Sequence, residues 1–268
     1  MSRGLGDVYK RQELKMLGRI HTFEEFLETW KLIEQAGFKN RNIDLMSALP
    51  GQTIESYEET LSKVLSLEPE HVSAYSLILE EGTVFYDWYE KGKLDRGAWK
   101  LPSEEEEYAM GELTILRLAE AGMHRYEISN YAKPGKECRH NLGYWDRVDY
   151  LGIGAGSSSL IKGERFDHIR DRKAYIEKIR NGESILIDRE LLSVESQMEE
   201  FMYLGLRKVE GVSRTDFQNY FGKNVNDVYG KVLDKLEEEK LLEFSGDRIR
   251  LTHRGMDVSN CVLAEFLF

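Results

Sequence analysis

From Thr22 onward the chain alternates short apolar runs with amphipathic stretches that carry their own start and stop signals, and this alternation is the tightest constraint on its fold. Thr22 with Glu25 forms a capping box, and Phe23, Phe26, Leu27, Trp30 and Ile33 recur at helical spacing up to Gly37, a residue suited to the left-handed position that ends a helix. The run 42–49, NIDLMSAL, reads as a buried strand stopped by Pro50 and Gly51. A second helix starts at Thr53, and a second strand covers 71–79, HVSAYSLIL. A short surface helix falls within 80–93, and Ser103 with Glu106 opens a long helix that ends at Gly122. Residues 125–129, RYEIS, and 149–156, DYLGIGAG, read as third and fourth strands. Strand and helix alternating at this spacing predict an α/β fold of parallel βαβ units with right-handed crossovers, as a barrel or an open sheet. In both, ligand groups gather beyond the carboxyl ends of the strands, here 44–47, 76–80, 127–130 and 154–159.

The expected division is a barrel-like part over 13–165, a linker helix and strand over 166–192, and a C-terminal domain over 193–268. Residues 1–12, MSRGLGDVYKRQ, follow neither period and read as a lead foreign to what comes after. Helices expected at 194–209, 213–221 and 224–240, then a hairpin across 245–247, give a winged-helix outline whose usual use is DNA binding. Residues 196–268 hold ten Lys and Arg against thirteen Asp and Glu, and the whole chain carries a net charge of −11, so a phosphate-binding face is not expected. The tail reads instead as a docking or lid domain. No apolar run reaches membrane-spanning length. Two cysteines, Cys138 and Cys261, far apart in sequence, exclude a disulfide framework and fit a reducing, cytoplasmic setting. They also fall short of the thiolates an iron–sulfur cluster needs.

The densest chemistry lies in 126–156, YEISNYAKPGKECRHNLGYWDRVDYLGIGAG. Glu127, Asn130, His140, Asn141, the pair Tyr144 and Trp145, and the alternating Gly152, Gly154 and Gly156 crowd between two apolar runs, as at a ligand site. His140 in a polar loop beside aromatic rings is a candidate haem-iron ligand, against the plainer reading of a hydrogen-bonding loop residue. The three glycines permit close backbone approach to a ligand, although a tight strand exit explains them as well and the spacing is not the dinucleotide fingerprint. Asp44 sits inside an apolar strand, where a carboxylate needs a partner, and Arg19 is a candidate for that role. His21, His71, His124, His168 and His253 show no metal-ligand spacing, and the acidic run 104–107 suits a helix N-terminus.

The ordered set GRIHTFEEF, AGF, NIDLMSALPGQT, HVSAYSLILEEGT, YEISNYA, HNLGYW and YLGIGAG resembles the HemW family, radical-SAM proteins related to oxygen-independent coproporphyrinogen III oxidase. The likeness runs from about Leu14 to the C-terminus. It implies a partial (β/α) radical-SAM barrel followed by a small winged-helix-like domain, S-adenosylmethionine across the barrel mouth, a [4Fe–4S] cluster, and haem. By motif, Arg19, Asp44, Ile78 and Ser158 correspond to S-adenosylmethionine contacts, and His140, Tyr144 and Trp145 to the haem site, with His140 on the iron. The family's CxxxCxxC cluster loop does not occur in these residues. The likeness is therefore to the C-terminal portion of a longer protein, and it implies no reductive cleavage of S-adenosylmethionine by these residues alone. HNLGYW favours a haem chaperone that passes haem to respiratory proteins, a membrane-associated recipient among them. An oxygen-independent coproporphyrinogen III oxidase is the alternative, and a winged-helix regulator a third reading.

Overall fold

The computed structural model describes residue 17 and residues 19–268. The expected foreign lead and the start of the family likeness at Leu14 lie outside the described residues. The chain forms two compact units, one running up to Glu137 and one from Cys138 onward. No helix among the described residues is long and apolar enough to cross a membrane.

In the first unit the capping signals act as read. Thr22 and Glu25 exchange bonds to open α1 (Phe23–Gln35), which buries Phe26 and Trp30 and gives way to Gly37 at φ +82°. β1 (Asn42–Ser47) turns Ile43, Leu45 and Ser47 inward and Asn42, Asp44 and Met46 to its other face. α2 (Ile54–Ser66) begins at Thr53, whose hydroxyl and that of Ser56 cap each other's backbone. β2 (His71–Ser76) pairs with β1 in parallel, Asn42 opposite His71 and Asp44 opposite Ser73. The short α3 (Val84–Glu90) follows, then α4 (Glu104–Glu120) from the Ser103 capping box. Ile43, Leu45, Val72, Tyr57, Leu61, Met110 and Leu118 form the core between sheet and helices, crossed by one buried polar link, Tyr57 to Thr114 at 2.7 Å.

The expected parallel order stops there. Residues 125–129 are not one strand: Arg125 ends β3 (His124–Arg125), and 126–129 make the bend of a hairpin to β4 (Asn130–Ala132). β4 runs antiparallel to β2, giving the order β1-β2-β4-β3. The cause is local. The buried Glu127 carboxylate accepts from the Ser129 N–H at 2.7 Å and from Asn130 Nδ2 at 2.6 Å, and Arg125 donates back to the Ile128 carbonyl. A chain folded on itself this way cannot extend.

In the second unit residues 139–145, expected as loop, form the helix α5 (Arg139–Trp145). The expected strand at 149–156 is absent. Only Tyr150 bridges to Leu160, and Gly154 and Gly156 take positive φ, which breaks extension before β5 (Ser158–Ile161). β5, β6 (Glu164–His168) and β7 (Leu186–Leu191) form an antiparallel sheet with α6 (Arg172–Asn181) inserted before β7. Next come α7 (Val194–Gly205), β8 (Val212–Ser213), α8 (Arg214–Phe221), α9 (Val225–Glu238), β9 (Leu242–Ser245) and β10 (Arg248–Leu251), in sheet order β8-β10-β9. This is the winged-helix outline. Its wing turn is tied to the start of α8, because the Asp247 carboxylate accepts from the Ser213 and Thr215 hydroxyls and the Thr215 N–H. α10 (His253–Asp257) and α11 (Ser259–Ala264) complete the described chain.

Candidate functional site

One face of the first sheet is apolar and belongs to the core; the other is polar. Register puts Asp44, Ser73 and Asn130 in one row across β1, β2 and β4, with Asn42 and His71 in the next. Asp44 therefore faces away from Ile43 and Leu45, half-buried, and is bonded rather than stranded in apolar surroundings: Asn42 Nδ2 donates to it at 2.6 Å. Because that amide nitrogen is spent on Asp44, the Asn42 oxygen faces His71 Nδ1 at 2.6 Å and also accepts from the Ser73 hydroxyl. His71 Nδ1 then carries the proton, and Nε2 accepts from the Tyr126 hydroxyl at 2.7 Å. His71 is only 4% exposed, and burial pushes its pKa down to about 4 against the pull of Asp44 and Glu137. Burial likewise pushes the neighbouring Tyr75 phenol up.

Asn130 Oδ1 is buried with no partner among the described residues. With the Asp44 carboxylate one row-mate away, the face offers two acceptors for a ligand rich in donors, and the ribose hydroxyls and ammonium of S-adenosylmethionine are such groups. Of the other expected contacts, Ile78 stands 69% exposed just after β2, and Arg19 is exposed with no ion pair to Asp44 among the described residues. Ser158 lies exposed at the start of β5, in the second unit. His71 and Tyr126 were not read as part of this face. The period-two alternation of polar groups at 42 and 44 and at 71, 73 and 75 was the available signal.

In the second unit α5 displays His140 at its exposed first turn. Neither ring nitrogen of His140 has a hydrogen-bond partner among the described residues. Its ring meets Tyr144 edge-on at 4.6 Å, and Tyr144 meets Tyr150 edge-on at 4.8 Å. Trp145 is turned differently: the Arg207 guanidinium covers its ring at 4.4 Å. The glycine segment closes on itself. A Cβ at Gly152 would run into the Ser158 carbonyl, and the Ser157 hydroxyl donates to the Gly154 carbonyl while lying 2.9 Å from His168 Nδ1. Close approach of chain to chain thus accounts for Gly152. Among the described residues no three His, Cys, Asp or Glu side chains are placed to hold a metal ion. Cys138 is half-buried at the N-cap of α5 and Cys261 is exposed. Two cysteines do not supply the thiolates of a [4Fe–4S] cluster, so the residues present do not fit that group.

Residues 192–258 match the family model of the HemN C-terminal domain, over the winged-helix arrangement. The chain is 39% identical over 254 residues to the heme chaperone HemW of Bacillus subtilis, covering 95% of this chain, and equally identical over 254 residues to that of Lactococcus lactis. The chain belongs to the HemW family. It spans 66% and 65% of the length of these two HemW relatives. The HemW-type chain also shares its fold with coproporphyrinogen III oxidase (HemN) of Escherichia coli, described as a radical SAM enzyme, at a TM-score of 0.78 over 97% of this chain and 62% of that one. At 19% identity that likeness carries the fold alone, a mixed α/β architecture.

Proposed function

We propose that this chain is part of a haem chaperone that binds haem through His140 and passes it to haem-accepting proteins, respiratory enzymes among them. The observation that carries the reading is the placement of His140, exposed, with no hydrogen-bond partner at either ring nitrogen among the described residues and an edge-on Tyr144–Tyr150 pair beside it. A neutral imidazole so presented can donate a lone pair to haem iron, and an aromatic flank gives the macrocycle an apolar surface to lie on. An exposed ligand also suits cargo that must leave again. That the HemW relatives of Bacillus subtilis and Lactococcus lactis are heme chaperones supports the same reading. Trp145, whose ring is covered by Arg207, serves the site by anchoring the helix.

S-adenosylmethionine fits the polar face of the first unit. There Asp44 and Asn130 Oδ1, which has no partner among the described residues, would accept from its hydroxyl and ammonium groups, while Asn42, held by His71, keeps Asp44 in place. Arg19 and Ile78 are its further proposed contacts from this unit. Bound with a reduced cluster it would supply adenosyl-radical chemistry, but the two cysteines present do not fit that cluster.

Titrating haemin into the wild-type chain and into His140→Ala tests the haem reading. Saturable binding with a shifted Soret band is expected for the wild type. At least about a tenfold rise in Kd is expected for the variant, equal to about 1.4 kcal/mol. Equal, non-saturable spectra for both would remove His140 from the site.

A further inference from the structure

A seven-residue helix does not stand unaided, since nucleation outweighs so few bonds, and α5 has no side-chain bond at its N-cap. What holds it is a set of three consecutive residues at its C-terminal end. Trp145 lies beneath Arg207, Asp146 pairs with Lys208, and Arg147 Nε donates to Glu200 Oε2 at 3.1 Å. Arg207 and Lys208 follow directly on α7, and Glu200 is on it.

Glu200 is the centre of this arrangement. It is 3% exposed, and its second oxygen accepts from Arg165 of β6 at 2.6 Å, so each oxygen serves a different arginine. β6 pairs with β5 in a register that sets Arg165 opposite Leu160, and Leu160 exchanges both backbone bonds with Tyr150. Tyr150 in turn carries the ring on which Tyr144 packs, and Tyr144 carries His140. Two routes therefore run from one carboxylate to the exposed imidazole: through Arg147 along the helix, and through Arg165, Leu160 and Tyr150 across the edge-on ring contacts. A buried carboxylate between two guanidinium groups is tolerated only with its bonds in place, so it fixes all three elements together.

We infer that Glu200 is a positioning residue for haem ligation, holding α5 and the edge-on Tyr144–Tyr150 pair so that His140 meets the iron in one orientation. This makes the C-terminal domain part of the haem site through Glu200, which positions the ligand and does not itself bind iron. The inference rests on the proposed role of His140.

The test uses the whole chain and haemin. Glu200→Ala, checked as folded by circular dichroism, is expected to weaken haemin binding about tenfold and to broaden or shift the Soret band. Glu200→Gln, which keeps the size and one acceptor oxygen, is expected to recover part of both. In the His140→Ala background Glu200→Ala is expected to have no further effect on haemin, because it acts through that imidazole. A folded Glu200→Ala with wild-type affinity and spectrum overturns the inference, as does a loss that adds fully to that of His140→Ala. Should Glu200→Ala fail to fold, Arg147→Lys, which keeps the charge and loses the guanidinium, takes its place under the same two criteria. A silent His140→Ala overturns the haem reading itself, whereas an effective His140→Ala beside a silent Glu200→Ala overturns only the positioning role.

Discussion

Phe217→Ala is expected to lower the stability of the C-terminal region by about 3–5 kcal/mol, the usual loss when a large buried aromatic leaves a cavity. Phe217 has no exposed surface and stands at the centre of a ring cluster, 4.8 Å from Phe221, 5.5 Å from Phe201 and 6.2 Å from Tyr229. These rings come from α7, α8 and α9, so no single element can move in to fill the space. The measurement is urea denaturation followed by tryptophan fluorescence and circular dichroism. A lower midpoint at unchanged slope identifies lost stability rather than a changed unfolded state. Tyr220→Ala, at a neighbouring but 74% exposed ring, is the control and is expected to change stability by less than about 1 kcal/mol. Equal losses at the two positions would mean that the cluster is not packed as described.

Acidification is expected to destabilise the first unit through His71. Its ordinary pKa of 6.5 falls to about 4 in the folded chain, mainly because burial disfavours the imidazolium. Between those values the unfolded chain holds a proton that the native state does not, so stability rises with pH. The contribution is fully present above about pH 6.5 and is lost as pH falls toward 4, up to about 3 kcal/mol in all. Comparing urea midpoints at pH 7 and pH 4.5 for the wild type and His71→Gln isolates it, since the other titrating groups are common to both. The wild type should lose more stability on acidification than the variant. Parallel losses would show that His71 is not buried neutral. Asn42 and Tyr126 close both ring nitrogens, which is why the neutral form fits and why Asp44 nearby does not rescue the charged one.

The elements legible from the sequence were those whose causes are local. The capping boxes at Thr22 and Ser103 and the hydroxyl pair at Thr53 and Ser56 each act within one helical turn, and all three helices begin where these residues stand. The hairpin at 124–132 was hidden because Tyr126 and Ile128 alternate with polar neighbours as a strand would, while the deciding interaction is a buried carboxylate reaching two and three residues ahead. α5 was hidden for the opposite reason. HNLGYW is too short to show a period, and its anchors Glu200, Arg207 and Lys208 lie far along the chain. At the candidate site Asp44 and His140 were identified by residue type and motif. What surrounds them depends on strand register and on side chains from α7, and neither can be read from local spacing.

The strand order has a consequence for how the chain is made. In the second unit β5–β6 and β9–β10 are hairpins closed by two-residue turns, contacts that form in microseconds. In the first unit β1 must find β2 across the whole of α2, and β2 must find β4 across α3 and α4. Closing such long loops precedes any gain from pairing and slows folding. Synthesis releases the slower unit first. Ile43, Leu45 and Val72 therefore leave the ribosome well before the helix α4 and strand β4 that will cover and close their sheet. During that interval the nascent chain depends most on holdase chaperones, and a block to folding there would strand newly made protein in aggregates however stable the finished domain is.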